Sequence, residues 1–178
     1  MTEPGLDPKQ LDGQRLGHGD EVLRTRTLAE LIAVTDHMTA QAMNNLRILA
    51  PDTEPELYGR DDFGALVSDL IARRARVARI RLLIADPSRA RHQSHKLIEL
   101  WHRFPSFIDV RELRDVYAEN REAFLLVDDT GLIRREEKTE WPAVVTYRNP
   151  ATGSSRAGWF DEAWEHAAPC SALRRLGI

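Results

Sequence analysis

Cysteine is almost missing from this chain. The single one, Cys170, leaves no partner for an internal disulfide and no basis for a cysteine-based zinc cluster. A lone thiol suits a reducing compartment, so a cytoplasmic protein is expected. Long apolar runs are missing too. No stretch approaches the roughly 18 residues needed to span a bilayer, and no membrane insertion is expected. The first 25 residues are polar and lack the apolar centre of a secretory leader. The sequence contains no phosphate-binding loop, dinucleotide-binding glycine pattern, zinc-protease helix or nucleophile elbow around a serine. These absences point to no cofactor and no resident metal.

What is present is an ordinary globular composition, 42% hydrophobic and 30% charged over 178 residues. That length suits one domain with a terminal extension. The net charge of −3 conceals a segregation. Residues 1–70 carry 6 basic against 13 acidic side chains, a balance of −7. Residues 71–115 carry 11 against 5, a balance of +6, and residues 116–178 carry 8 against 10. A basic band inside an acidic protein attracts phosphates, and it equally describes arginines lying over helix surface and pairing with acidic neighbours.

Residues 1–20 hold glycine, proline and polar residues with few apolar ones, which predicts a disordered tail before a single domain over 21–178. Glu21–Arg26 reads as a short strand. Thr27 and Glu30 form a capping-box pattern ahead of apolar positions at helical spacing. "LRILA", Leu46–Ala50, is a short apolar strand ended by Pro51. Asp61 or Asp62 caps a helix whose stripe is Phe63, Leu66, Val67, Leu70 and Ile71. A strand over Ala78–Asp86 follows, then a helix carrying Leu97, Ile98, Trp101 and Phe104, and an alternating strand over Phe107–Leu113. Phe124–Val127 and Leu132–Arg135 flank Asp128-Asp129-Thr130-Gly131, a hairpin signal. Ala143–Asn149 is a last strand, and Asn149-Pro150 opens a helix burying Trp159, Phe160, Ala163, Trp164 and Ala167. Strands alternate with helices early and form a meander late. The fold class is α/β, a mixed sheet with helices on both faces.

Three constellations carry candidate chemistry. "RARHQSHK", Arg89–Lys96, follows a strand end, where ligands of α/β sheets collect. His92 and His95 stand one turn apart and can meet a metal or a phosphate, and the same residues serve equally as the solvated start of a basic helix. Asp128 and Asp129 suit acid–base work as well as a turn. Trp101, Trp159 and Trp164 read as core or as a stacking platform.

The pattern "HKLIELWHRFPSFIDVREL…REAFLLVDDTGLIRRE" resembles one half of the phospholipase D fold, and more closely an uncharacterised bacterial domain family related to phospholipase D. The resemblance covers roughly Arg24 to Trp164. Active members carry His-x-Lys-x4-Asp on such a strand. Laid on this chain, the motif puts Arg121 at the histidine, Ala123 at the lysine and Asp128 at the aspartate. Arginine stays protonated and cannot act as the nucleophile, and alanine carries no charge. The resemblance therefore implies a degenerate site with no catalytic residues. The expected function is binding of a phosphate-bearing ligand or a partner protein through His95, Arg111, Arg121, Arg134 and Asp128. Two alternatives stand beside it: a nucleic-acid-binding module using the basic band over 73–114, and a hydrolase of another class using His92 and His95. One half of a two-half fold also leaves a sheet edge in need of cover, which predicts a homodimer.

Overall fold

The computed structural model describes residues 5–88, 94–117 and 119–174. Its strands are β1 (Val22–Thr25), β2 (Asn45–Ala50), β3 (Arg79–Ile84), β4 (Ile108–Glu112), β5 (Ala123–Val127), β6 (Gly131–Arg135), β7 (Ala143–Thr146) and β8 (Ala168–Pro169). Its helices are α1 (Leu28–Thr39), α2 (Pro55–Tyr58), α3 (Asp61–Arg73), α4 (Lys96–Arg103) and α5 (Pro150–His166). All eight strands join one sheet in the order β1-β7-β6-β5-β2-β3-β4-β8. The centre, β2-β3-β4, is parallel, and the other pairings are antiparallel. The expected mixed sheet with helices on both faces is what forms.

Each face has its own core because strand side chains alternate. Leu46, Ile48, Ile80, Leu82, Leu125 and Val127 pack under α1, α3 and α4. Leu49, Leu83, Phe124, Leu126 and Leu132 pack under α5. On that second face Arg47 of β2 and Arg81 of β3 both reach Asp161 of α5, at 3.0 and 2.8 Å. Burial pushes the Asp161 carboxyl up, but the two guanidiniums outweigh it and hold the group below the usual carboxylate range. The result is an ionic clamp fixing α5 to the parallel strands.

Several expectations need correction. The amino-terminal segment is not a loose tail from Gly5 onward. Leu6 and Leu11 are buried in the first core, and Asp7 caps a short 3-10 turn over Pro8–Gln10. The Leu16 N–H donates to the Gln41 side chain, and the Gly17 N–H donates to the Tyr147 carbonyl, at 2.8 Å each. Two leucines spaced across a turn were enough to dock a segment of polar composition. Thr27 does cap α1, but Glu30 reaches back to the Arg26 N–H rather than to that of Thr27. Asp61 and Asp62 sit in the first turn of α3, and the cap position belongs to Arg60. Leu66 is half-buried, and Gly64 takes a buried place in the stripe. Trp159 is likewise half-buried, while Gly153 and Ala157 join the buried face of α5. Helix α2 and the two-residue β8 were not expected. No described helix is long and apolar enough to cross a membrane.

Candidate functional site at the carboxyl end of the central strands

Strand β5 runs antiparallel to β2, with Phe124 opposite Leu49, so its first residues stand beside the carboxyl ends of β2 and β3. Ligands of α/β sheets collect at that end. The Arg121–Ala123 step of the motif therefore lies at the mouth of the parallel strands, and Asp128 lies at the far end of β5.

The mouth is filled from within. Ala123 is fully buried, and its cross-strand partner in β6 is Arg135. Cross-strand partners share a face. The small alanine thus leaves room beside a buried guanidinium. Arg135 donates to the Glu54 carboxylate at 2.6 Å, with both side chains almost wholly buried. It donates further to the carbonyls of Lys138 and Glu140 at 3.2 and 3.1 Å, and lies 5.7 Å from the Trp141 ring centroid. Glu54 is held in the left-handed region, at φ 43°, with its N–H on the Asp52 carboxylate at 2.7 Å. A β-carbon in that region is strained, and such outliers gather at specialised sites. Burial pushes the Glu54 carboxyl up to about 7, against the pull of Arg135. The Tyr58 hydroxyl is also pushed up by its burial.

His95 borders this cluster as the cap of α4. Its Nδ1 accepts from the Ile98 N–H at 3.4 Å, which leaves Nε2 to donate to the Thr53 carbonyl at 2.8 Å. Both nitrogens are engaged, and burial lowers the imidazole pKa. His92 lies outside the described residues. Among the described residues no group of three or more His, Cys, Asp or Glu side chains is placed to hold a metal ion.

The remaining residues singled out in the sequence do not converge. Arg121 is 75% exposed and pairs with Glu137. Arg134 sits on the α5 face of β6, held by Glu122 at 2.9 Å and Glu136 at 3.2 Å. Arg111 sits on the same face of β4, over the Trp164 ring at 4.6 Å and on the Trp164 carbonyl at 2.9 Å. One row of the sheet runs Arg134, Phe124, Leu49, Leu83, Arg111, so the two arginines are four strand spacings, about 19 Å, apart. His95 belongs to the helix layer on the other face. Asp128, at φ 51°, accepts from the N–H groups of Met43, Asn44 and Asn45 at 2.7, 2.7 and 2.9 Å. It anchors the entry into β2. Asp129, at φ 60°, completes the turn and pairs with Arg47. Sequence reasoning missed the Glu54–Arg135 pair. The alternation in "GLIRR" was the available signal, since it puts Arg135 on the core face with Ile133.

Solved structures show the same architecture. TrmBL2, described as an archaeal chromatin protein with a novel mode of DNA binding, superposes with a TM-score of 0.63 at 18% identity, over 85% of this chain and 54% of its own. This chain thus spans about half of that one. Nuc from Salmonella typhimurium, a phospholipase D family member, gives 0.54 at 14% identity over 84% of this chain and 95% of its own. NucT from Helicobacter pylori gives 0.58 at 11% identity over 84% and 99%. These likenesses show that the fold is phospholipase-D-like. No curated protein matches the sequence. Residues 27–176 match the family model described as domain of unknown function DUF7931, and the chain belongs to that family.

Proposed function

We propose that this chain is a phospholipase-D-like domain that binds an anionic, phosphate-bearing ligand or a partner protein and does not hydrolyse phosphodiesters. One observation carries the reading. Where the resemblance calls for a lysine there is a buried alanine, and the space beside it is taken by Arg135 bound to Glu54. A guanidinium fixed by one carboxylate and two carbonyls is a framework part. It has no freedom to follow charge developing on a phosphate. Among the described residues, neither candidate supplies a nucleophile at the place of the missing histidine. Arg121 keeps its proton, and both nitrogens of His95 serve the backbone. Of the five residues named from the sequence, Arg121 offers the most accessible guanidinium at this mouth. An anion bound there competes with Glu137.

The test is incubation of the purified protein with a chromogenic phosphodiester, with and without divalent metal, beside Arg121→Ala and His95→Ala. The reading predicts no turnover in any of the three. Turnover that persists through purification and disappears in either variant overturns it.

A further inference from the structure

The opposite end of the sheet carries a different surface. Helix α3 ends at Arg73 with Arg74 as its cap, the turn that follows adds Arg76, and β3 opens on Arg79. The Arg79 N–H bonds the Asn44 carbonyl, so this turn lies against the start of β2. Arg74 Nε donates to the Met43 carbonyl at 2.8 Å, and Arg73 donates to the Ala42 carbonyl at 3.4 Å. Four arginines thereby stand at one end of the sheet. Among the described residues only Arg73 of the four has a carboxylate partner, the exposed Asp69. Arg79 donates to the neighbouring Ala78 carbonyl at 2.7 Å, and Arg76 is exposed with no ion pair. Met43 and Val77, 43% and 44% exposed, lie between them.

We infer that this edge binds the sugar–phosphate backbone of a nucleic-acid duplex. Arg74 and Arg79 are each anchored by one donor to a backbone carbonyl, which leaves the rest of each fork to face a phosphate. Arg73 is bound at Nε to Asp69 and through its two Nη to the Met43 sulfur and the Ala42 carbonyl, so a phosphate there competes with Asp69. These arginines line an edge instead of converging on one point, so they suit a repeating anion better than a single one. The chain carries −3 overall and −7 over its first 70 residues. That acidic remainder repels a polyanion, so a duplex approaches with this edge leading and gains from the counterions released there. Two half-exposed apolar side chains are too few to insert into a lipid surface. The inference stands apart from the reading of the former catalytic mouth, which lies at the other end of the strands.

The test is fluorescence anisotropy of a labelled 25-base-pair duplex with the full chain, titrated at several salt concentrations. Four phosphate contacts predict a slope of log K against log salt of about −3 to −4. Arg76→Ala/Arg79→Ala, which alters no carboxylate pair, is expected to weaken binding roughly tenfold at low salt and to flatten the slope by about 2. Its melting temperature should not move, and Arg121→Ala should bind like the wild type. Salt-indifferent binding, no binding at all, or binding lost in Arg121→Ala but kept in the double variant overturns the inference. So does binding to phosphatidylserine vesicles or polyglutamate in place of the duplex. Running the incubated duplex on a gel separates the two claims: cleavage refutes the proposed lack of hydrolysis, and unaltered binding by the double variant refutes this edge.

Discussion

At the scale of residues, the carboxylates of this chain divide by what surrounds them. Asp128 ends an apolar strand because its carboxylate collects three backbone N–H groups from the connection into β2. That role needs no chemistry, and it answers why so apolar a run closes on an acid. Glu54 is the opposite case, a carboxylate whose burial lifts it to about 7 from an ordinary 4.5. The folded state then keeps a proton that the unfolded chain releases, so this group's contribution to stability declines as pH rises from about 4.5 to 7. His95 works in the other direction. Its lowered pKa means the unfolded chain takes a proton that the fold refuses, and stability is lost as pH drops below about 6.5. The two effects oppose each other in the wild type. Glu54→Gln removes the first alone. Its stability relative to the wild type should therefore rise between pH 5 and pH 7.5 in urea melts, and a difference independent of pH would contradict the assignment.

Elements were legible wherever a local signal agreed with the global packing. Asn149 caps α5 with Pro150 in the first turn, the hairpin turns at Asp128–Asp129, and the parallel strands appear as short apolar runs. The pieces that escaped notice take their structure from distant contacts. β8 is two residues long and exists because Arg111 and Glu112 of β4 offer it an edge. The Glu54 turn and α2 depend on Arg135, 81 residues away in sequence. Gly153 makes the same point within a helix. Propensity alone says that alanine there should gain up to about 1 kcal/mol. The structure says otherwise, because a β-carbon would overlap the Asp129 carbonyl oxygen where α5 crosses the hairpin. Gly153→Ala is expected to destabilise by about 1–3 kcal/mol, as overpacking does, and a gain in thermal stability would show that the crossing yields.

For the whole molecule, the mixed sheet and its two-faced core could be anticipated from the alternation of strands and helices, whereas the partners of the candidate site residues could not. Four of the five residues first singled out as ligand-binding are held by partners within the fold. Each was read from its type and its place along the chain, and each is claimed by a partner far from it in sequence or by the end of its own helix. The amino-terminal segment was misjudged for the same reason, since composition counts apolar residues without showing where two of them land. A chain starting at Glu21 loses the burial of Leu6 and Leu11 and the strap through Leu16 and Gly17. It should be about 2–4 kcal/mol less stable than the full chain, which calorimetry or urea unfolding can measure.

The Glu54–Arg135 ion pair fills the space beside Ala123, and the functional reading requires that this pair be structural. A double-mutant cycle on Glu54 and Arg135 at pH 8 tests it most directly. If the pair is a framework element, Glu54→Ala and Arg135→Ala should each cost about 3–5 kcal/mol, because each leaves the other charge buried alone. The double variant should cost clearly less than the sum of the two. Single variants that each cost under about 1 kcal/mol and add without coupling would show the two groups free of structural duty, and the space beside Ala123 open to a ligand after all.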